Sequence, residues 1–341
     1  MRYHLMESDD IRLNLATEEY LMEQAEMDEP LLLLYIQKPC VIIGRHQNAY
    51  EELDLAYLRS HQITLTRRIS GGGAVYDDLG NISFSFVTKK EAVAFGDYQE
   101  VTLPILAALH RMGATRAVAG GRNDLYIDDK KFSGNAMYTK KGRTYSHGTL
   151  MYQVDLSVLD HILTVAPEKI SSKATRSVRK NVTNLRPYLA EKWQTLSTEA
   201  FRDQLVCELY QVSDLTEIAN KQLLLTAADR AAIDQLFTEK YANDEWIFGE
   251  APAFDLERRT RIPGVGIVDL KLSMKEGKIA AAQFFGDFFG SLPIEELTAQ
   301  LIGLPFIYEE IQTFLTTIAI DQYILHFSND AFLALLFQQE G

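Results

Sequence analysis

The chain has 341 residues, of which 47% are apolar and 24% charged, a composition typical of a soluble globular enzyme with more than one domain. Its formal net charge of −13 argues against a surface built to grip nucleic acid, so we expect no nucleic-acid partner. No apolar run reaches the ~20 residues of a bilayer span, the first residues lack the pattern of a targeting signal, and two cysteines cannot form a disulfide framework. We therefore expect a cytoplasmic protein with no membrane partner.

Helix and strand signals alternate through the first half. Asn14 is placed to cap a helix that runs to about Met27, with Glu18 and Glu19 in its early turns. Two apolar runs, 31–36 and 40–43, are expected to pair as strands. They are followed by a helix at 51–61, strands at 63–68 and 81–87, and a helix at 103–112. This order predicts an α+β layer rather than a strictly parallel sheet.

The middle of the chain carries a predicted hairpin at 125–134, with a turn at Asp128–Lys130 and Lys131 on the return strand. Another strand is expected at 149–154. The segment 167–185 is rich in basic and small polar residues and indicates a loop that could cover a nucleotide.

The last third of the chain has the pattern of a small domain of its own. A helix over 198–212 and one opened by a Thr226–Asp229 capping box precede a compositional break near residues 241–245. Beyond the break, an alternating strand hairpin at 268–285 and three helices follow. We therefore expect two domains, residues 1–243 and residues 244–341.

Three consecutive glycines, Gly71 to Gly73, follow Arg67 and Arg68. Glycine lets the backbone adopt positive φ and lets a ligand approach its N–H donors, and arginine offers a permanent planar charge that suits phosphate or carboxylate. Alone, such a run is more simply explained as a strand-to-turn connection. Polar groups also concentrate at other predicted strand ends, which favours an anion site: 44–48, 121–134 and 146–149.

Single residues in these segments leave alternatives open. Lys131 could be a solvated turn lysine, Asn123 and Asp124 could form an Asx turn, and a lone His147 is more often structural than catalytic. The cysteines Cys40 and Cys207 lie in an apolar strand and on a probable helix, where an inert buried thiol is the simpler interpretation.

The ordered motifs resemble the signature of the ATP-dependent lipoate-protein ligase A family, and the match covers nearly the whole chain. The matching segments are 14–19, 41–48, 67–76 with 78–81 and 84–86, 121–125, 131–136, 147–150, 177–179 with 182–185, and 246–254. The resemblance implies a biotin/lipoate-protein-ligase-like catalytic domain, made of mixed and largely antiparallel sheets with flanking helices, and a small α+β C-terminal domain.

The same resemblance implies a two-step reaction that salvages lipoate. Lipoate and ATP with Mg²⁺ would give lipoyl-AMP and pyrophosphate. A lysine of a lipoyl domain in a 2-oxoacid dehydrogenase E2 subunit, or of the glycine-cleavage H protein, would then take the lipoyl group. Activation is needed because a carboxylate resists nucleophilic attack, and donors fixed in place stabilise the charge that grows on the phosphate.

Carried over residue by residue, the family pattern makes Lys131 the catalytic residue, an electrostatic clamp between the lipoyl carbonyl and the phosphate. Asp124 becomes a candidate Mg²⁺ ligand. The other residues implied to bind ATP or lipoate are Arg45, Arg68, Gly71, Gly72, Gly73, Ala74, Val75, Tyr76, Asn123, Ser133, Gly134, His147, Thr149 and Arg179. The apolar strand residues Val41, Ile43 and Val75 would line a channel for the dithiolane end. Valine in place of Gly72 or Gly73 is expected to block adenylation and leave the fold intact.

Three other functions compete. A lipoyl- or octanoyl-transferase of the same fold uses an acyl-accepting cysteine, but the segment 167–185 has none. A biotin ligase would carry a different arginine-and-glycine fingerprint. A non-catalytic carrier-binding protein would not need Arg68, Asp124 and Lys131 together. The sequence leaves open the acceptor preference, the choice between lipoate and octanoate, the oligomeric state, the base for the acceptor lysine and the orientation of the C-terminal domain.

Overall fold

The computed structural model describes residues 1–24, 29–162, 181–248, 256–275 and 277–337. The chain forms two compact units, and the smaller one includes two short segments from the first quarter of the sequence. The larger unit contains Met1–Ile42, Ala49–Arg67 and Val75–Ile247, and the smaller unit contains Ile43–Asn48, Arg68–Ala74 and Phe248–Gly341. No helix among the described residues is both long and apolar enough to cross a membrane.

The strands are numbered in chain order. They are β1 Arg2–Leu5, β2 Leu31–Tyr35, β3 Cys40–Ile43, β4 Thr64–Arg67, β5 Val75–Asp77, β6 Asn81–Lys89, β7 Val118–Gly120, β8 Asp124–Ile127, β9 Lys130–Lys140, β10 Arg143–Met151, β11 Leu256–Ile262, β12 Gly266–Lys275 and β13 Lys278–Gly286.

The α-helices are numbered in the same way. They are α1 Ile11–Gln24, α2 Ala49–Glu52, α3 Leu55–Ser60, α4 Tyr98–Arg111, α5 Leu159–Ile162, α6 Glu191–Gln194, α7 Thr198–Tyr210, α8 Ala227–Leu236, α9 Asp244–Phe248, α10 Ile294–Leu301, α11 Tyr308–Leu315, α12 Ile320–Tyr323 and α13 Asn329–Phe337. Short 3₁₀ segments at Lys90–Ala92, Arg186–Tyr188 and Leu215–Lys221 and a π-helical turn at Phe237–Tyr241 complete the list.

A seven-stranded mixed sheet forms the centre of the larger unit, in the order β1-β2-β6-β10-β9-β8-β7. Only β1 and β2 pair in parallel, and the other neighbours are antiparallel. One face packs on α4 and α7 through a large apolar core that includes Phe84, Leu109 and Phe201, all fully buried. The other face carries α1, whose Glu18 accepts hydrogen bonds from two strand tyrosines. The sheet is therefore covered by helices on both faces.

The smaller unit has an apolar core of its own. The antiparallel sheet β11-β12-β13 places Val268, Leu270 and Leu272 on one face, as the alternating pattern predicts. These residues form an apolar cluster with α10, α11 and α13. The sequence pattern missed strand β11 and the short helix α12 of this unit, and it also missed β1 and β7 of the larger unit.

Two predictions about the first helix are wrong. The helix begins at Ile11, because the Asp10 carboxylate accepts a hydrogen bond from the Arg12 N–H at 2.9 Å, and Asn14 lies inside the first turn. Glu18 and Glu19 therefore sit beyond the first turn, and both are buried. They are interior acceptors of hydrogen bonds rather than charges that complement the helix dipole.

The predicted pairing of the runs at 31–36 and 40–43 is also wrong. Strand β2 pairs with β1 and β6 in the large sheet, whereas β3 lies between β4 and β5 in a separate three-stranded sheet. Both runs are fully buried strands, so their composition was informative about burial but carried no information about partners. The capping box of Thr226 and Asp229 and the hairpin of β12 and β13 are confirmed.

Candidate active site

The hairpin of β8 and β9 places Lys131 and Asp124 side by side. Its two turn residues, Asp128 and Asp129, both have positive φ, as a two-residue hairpin turn requires. The turn sets Tyr126 opposite Lys131, and a register shift between Leu125 and Tyr126 then sets Asp124 opposite Gly134. The Lys131 Nζ lies 2.8 Å from Asp124 Oδ1. The lysine side chain is 36% exposed and the carboxylate 17%, so this ion pair lies at a surface that a ligand can reach.

Tyr126 extends this cluster. Its hydroxyl donates a 3.1 Å hydrogen bond to Asp124 Oδ2, and burial together with the nearby carboxylate raises the pKa of Tyr126 to about 12. The tyrosine therefore stays a neutral donor at physiological pH. Sequence reasoning missed Tyr126, although its place two residues after Asp124 on a strand puts both on one face.

The missing side chain of Gly134 leaves room for the lysine. A Cβ at this position would lie 3.0 Å from Lys131 Nζ and 3.2 Å from its Cε, so any larger residue would push the lysine away from Asp124. The Gly134 N–H points to the Thr149 hydroxyl on β10, 3.5 Å away. Gly134 and Thr149, both predicted site residues, thus contact each other next to Lys131.

Asn123 anchors the turn that precedes Asp124. The Asn135 N–H donates to the Asn123 carbonyl at 2.9 Å, and the Asn135 side-chain amide donates to the same carbonyl at 3.1 Å. The Asn123 side-chain amide donates in return to the Asn135 carbonyl. Ser133, which is fully buried, accepts from the Asn135 amide at 3.3 Å. These contacts make Asn123 and Ser133 supports of the Asp124 backbone.

A row of polar side chains, of which Tyr145 and His147 are buried, leads along β10 away from Lys131. Alternate residues of a strand share a face, so Thr149, His147 and Tyr145 follow one another on the face that carries α1. The Tyr145 hydroxyl donates to Glu18 Oε2 at 2.8 Å and lies 2.5 Å from His147 Nδ1, which is itself 3.4 Å from the same carboxylate oxygen. The row therefore ends on a buried acid.

Glu18 is a buried acceptor that the sequence analysis had placed among the charges near the start of the helix. Its second carboxylate oxygen accepts a 2.9 Å hydrogen bond from the Tyr35 hydroxyl on β2, and its side chain is 1% exposed. Desolvation and the nearby Glu18 charge raise the pKa values of Tyr35 and Tyr145 well above the ordinary tyrosine value, so both remain protonated donors. The only signal in the sequence was a pair of adjacent acids inside an otherwise amphipathic helix.

Strand β5 contributes Val75 and Tyr76 to the same unit. Val75 pairs with Ile42, and Tyr76 pairs with Val41, which is fully buried. Burial raises the pKa of Tyr76, so its hydroxyl is neutral. The predicted ligand contacts of Val75 and Tyr76 stay predictions.

The other predicted residues of the glycine-rich segment belong to the smaller unit. In this loop, Arg68 forms hydrogen bonds with the residues that follow it. The Arg68 guanidinium is buried and donates to the carbonyls of Gly71 and Gly73, both at 2.8 Å, and to the Ser70 hydroxyl at 3.1 Å. The Gly72 N–H donates to the Phe288 carbonyl at 3.1 Å. Arg68 thus folds the loop, a role that the charge alone did not indicate.

The three glycines differ in what surrounds them. A Cβ on Gly71 would overlap the carbonyl oxygen of Phe288, and Gly72 has φ of +96° with Arg68 and the Phe289 ring within 3.0 Å of a Cβ. A Cβ on Gly73 would meet only Asp287, at 3.9 Å. Valine at Gly72 is therefore expected to lower the stability of the fold, because the backbone there has a positive φ that favours glycine.

Arg45 lies in the segment that supports this loop. Its N–H donates to the Ser70 carbonyl at 2.8 Å, and its guanidinium pairs with Glu295 of α10. The next residue, His46, stacks on the Phe288 ring with centroids 4.5 Å apart. The ligand contacts predicted for Arg45, Arg68 and 71–74 stay predictions.

The remaining assignments concern the cover loop, the metal and the thiols. Arg179 and most of the predicted cover loop lie outside the described residues. Among the described residues, no three His, Cys, Asp or Glu side chains stand close enough to hold a metal ion together, so a cation at Asp124 would need oxygens from a ligand. Burial raises the pKa of both Cys40 and Cys207, which keeps the thiols protonated.

Comparison with known proteins decides the family. Residues 10–210 match the model of the lipoyl protein ligase A/B catalytic domain, and residues 251–336 match the model of the bacterial lipoate protein ligase C-terminus. The chain belongs to the lipoate-protein ligase family. A lipoate-protein ligase of Bacillus subtilis (strain 168) is 38% identical over 332 residues, which cover 96% of this chain and 97% of the relative. A lipoate-protein ligase of Streptococcus pyogenes is 39% identical over 91% of this chain and 90% of its own.

Solved structures of lipoate-protein ligases share the fold. LipL1 of P. falciparum, solved with lipoate, superposes with a TM-score of 0.72 at 21% identity over 97% of this chain and 96% of its own. The Thermoplasma acidophilum bipartite lipoate-protein ligase, described with its E2 lipoyl domain, gives 0.60 at 28% identity over 75% of this chain and 98% of its own. A lipoate-protein ligase A bound with ATP gives 0.57 at 26% identity, covering 73% and 98%. The predicted family, ligase class and α+β fold are confirmed.

Proposed function

We propose that this lipoate-protein ligase activates free lipoate with ATP and transfers the lipoyl group to a lysine of a lipoyl domain. The observation that carries the proposal is the ion pair of Lys131 and Asp124, whose lysine side chain is 36% exposed. An accessible ammonium held in one place can meet both the carboxylate of lipoate and the phosphate of ATP.

In the first step, a lipoate carboxylate oxygen attacks the α-phosphorus of ATP and pyrophosphate leaves. Both reactants are anions, so their approach is opposed by charge repulsion. The Lys131 ammonium lowers this repulsion, and its place beside Asp124 and Gly134 restricts the positions that it can adopt. Lys131 acts through its charge and forms no covalent bond to the substrate.

The cation for ATP is assigned to Asp124. Its buried Oδ1 forms an ion pair with the Lys131 ammonium, so this oxygen already interacts with a positive charge. Mg²⁺ commonly binds one carboxylate together with phosphate oxygens and water. When bound, Mg²⁺ would neutralise part of the phosphate charge. The relatives named above support ATP as the nucleotide, and Mg²⁺ is our inference.

In the second step, the ε-amine of an acceptor lysine attacks the lipoyl carbonyl carbon, the bond from that carbon to the AMP oxygen breaks, and the amine loses a proton. We propose E2 lipoyl domains as acceptors, supported by the archaeal ligase that is described with its E2 lipoyl domain. We propose the glycine-cleavage H protein as a second acceptor. We also propose that the catalytic domain ends at residue 243 and the C-terminal domain begins at residue 244, and that the protein is located in the cytoplasm.

Lipoate-dependent exchange of labelled pyrophosphate into ATP tests the first step. We expect exchange in the wild type and its loss in Lys131→Ala, with Lys130→Ala as the matched control, since Lys130 is the exposed neighbour on the same strand. No exchange by folded wild-type protein would refute the proposed function. Full exchange by Lys131→Ala would refute the role of this lysine, and a transferase that works without ATP would show lipoyl transfer with no exchange.

A further inference from the structure

The larger unit contains a cavity of about 390 Å³ that the proposed reaction does not use. It lies between β1, the start of α1 and α8, and its lining includes neither Lys131 nor Asp124. The apolar residues of its lining are Met6, Leu13, Leu225 and Ile233. Met6 is 5% exposed and Ile233 is 2% exposed, so the inner part of the cavity is walled by apolar side chains.

A histidine on β1 adds one hydrogen-bond acceptor to this apolar wall. His4 is 7% exposed, and its Nδ1 lies 2.8 Å from the Leu223 carbonyl oxygen. A carbonyl oxygen only accepts, so Nδ1 carries the hydrogen, and burial lowers the pKa of the ring, which leaves Nε2 of the neutral ring as an acceptor. Among the described residues no group bonds to Nε2, and this atom is not one of the polar atoms closed off from solvent. The cavity therefore offers an accessible acceptor to a ligand that donates.

The other buried polar residues of the wall are already bonded or covered. The Thr17 hydroxyl donates to the Leu13 carbonyl at 2.8 Å, and the Asn14 side-chain amide donates to the Ser8 carbonyl at 3.1 Å. The Asn14 Oδ1 is closed off from solvent, so a ligand cannot reach it. His4 is therefore the buried polar residue of this wall that is set to bond to a ligand.

Charges of both signs lie at the opening of the cavity. The side chains of Glu7 and Arg230 are 81% and 55% exposed, and their charged groups are 3.7 Å apart, which is too far for a hydrogen bond. Asp234, also exposed, lies in the lining one turn after Arg230 on α8. The guanidinium suits a carboxylate, and the two acids suit an ammonium group. A head group that carries both charges therefore matches this opening.

We propose that this cavity binds a free aromatic amino acid whose ring carries a neutral hydrogen-bond donor, with L-tyrosine as its simplest example. The phenol hydroxyl would donate to His4 Nε2, and the ring would pack on Met6 and Ile233. The carboxylate would meet Arg230, and the ammonium would meet the two acids at the opening. Tyrosine and tryptophan have the required apolar ring with a donor at its edge. The inference goes beyond the proposed ligase reaction and does not depend on it.

Isothermal titration calorimetry of the full chain tests the ligand and its place. L-tyrosine is compared with L-phenylalanine, which lacks the hydroxyl, and with tyramine, which lacks the carboxylate. Arg230→Ala removes the cation at the opening, and Arg116→Ala is its control, an exposed arginine that pairs with Asp128 outside the lining. Leu225→Trp fills the cavity, and Leu224→Trp adds the same ring at the exposed neighbour.

We expect the wild type to bind L-tyrosine about tenfold more tightly than L-phenylalanine or tyramine, as for the loss of one hydrogen bond to a buried or charged partner. Arg230→Ala should weaken tyrosine binding about tenfold, Leu225→Trp should abolish it, and both controls should match the wild type. Equal affinity for tyrosine and phenylalanine, or no saturable heat with folded wild-type protein, would overturn the inference. Wild-type affinity in both Arg230→Ala and Leu225→Trp would place the ligand elsewhere and overturn it as well. Melting midpoints of the variants show whether a loss of binding is a loss of fold, and the exposed position of Arg230 keeps its test valid even if Leu225→Trp is unstable.

Discussion

Replacing each of the three glycines by alanine should separate packing from backbone strain in the glycine-rich loop. At Gly71 the new methyl group would overlap the backbone oxygen of Phe288, which no side-chain rotation can relieve, and overpacking of this kind costs about 1 to 3 kcal/mol. At Gly72, φ of +96° adds about 1 to 2 kcal/mol of strain to crowding by Arg68 and Phe289. At Gly73 the nearest atom is 3.9 Å away, so we expect a change within about 0.5 kcal/mol.

Differential scanning calorimetry of the three variants measures this order directly. The midpoint should be lowered in Gly71→Ala and Gly72→Ala and unchanged in Gly73→Ala. Gly264→Ala is the control for backbone strain alone, because Gly264 has φ of +79° and no atom within 4 Å of a Cβ. A Gly73→Ala midpoint as low as that of Gly71→Ala, or an unaltered Gly71→Ala, would refute the packing argument. If Gly73→Ala has the melting midpoint of the wild type, any loss of lipoyl-AMP formation in this variant reflects adenylation rather than stability.

Three further outcomes follow from other parts of the larger unit. Tyr145→Phe removes a donor from the buried Glu18 carboxylate and should lower stability by about 1 to 3 kcal/mol in urea unfolding; an unchanged midpoint would mean that this bond adds nothing. Burial lowers the pKa of His4, so the unfolded chain binds more protons below pH ~6.5 and stability falls as the pH drops from about 7 to 5; His4→Gln should flatten that decline, and an identical slope would contradict it. Arg67→Lys loses two hydrogen bonds to the Ile247 carbonyl, at 3.0 and 2.7 Å, so its melting temperature should be lower than that of the wild type. An equal melting temperature would show that the positive charge of a lysine is enough at this position.

Local signals in the sequence determined a large part of this protein. The turn at Asp128 and Asp129 joined β8 to β9 and set Tyr126 opposite Lys131, and the capping box at Thr226 fixed the start of α8. Alternation predicted the β12 and β13 hairpin. Each of these features depends on residues a few positions apart, whose preferences act without help from the rest of the chain. Ordered motifs along the whole length were enough to indicate the ligase family.

Tertiary structure alone decided the features that join distant segments. Glu18 became a buried acceptor because Tyr35 and Tyr145 converge on it from two strands, and neither partner lies in its own helix. The glycine-rich loop is closed by Arg68 and packs on Phe288, more than 200 positions away in the sequence. Strand partners and buried hydrogen bonds of this kind depend on which surfaces meet after collapse, and a local pattern can show that a residue is buried without showing what it is buried against.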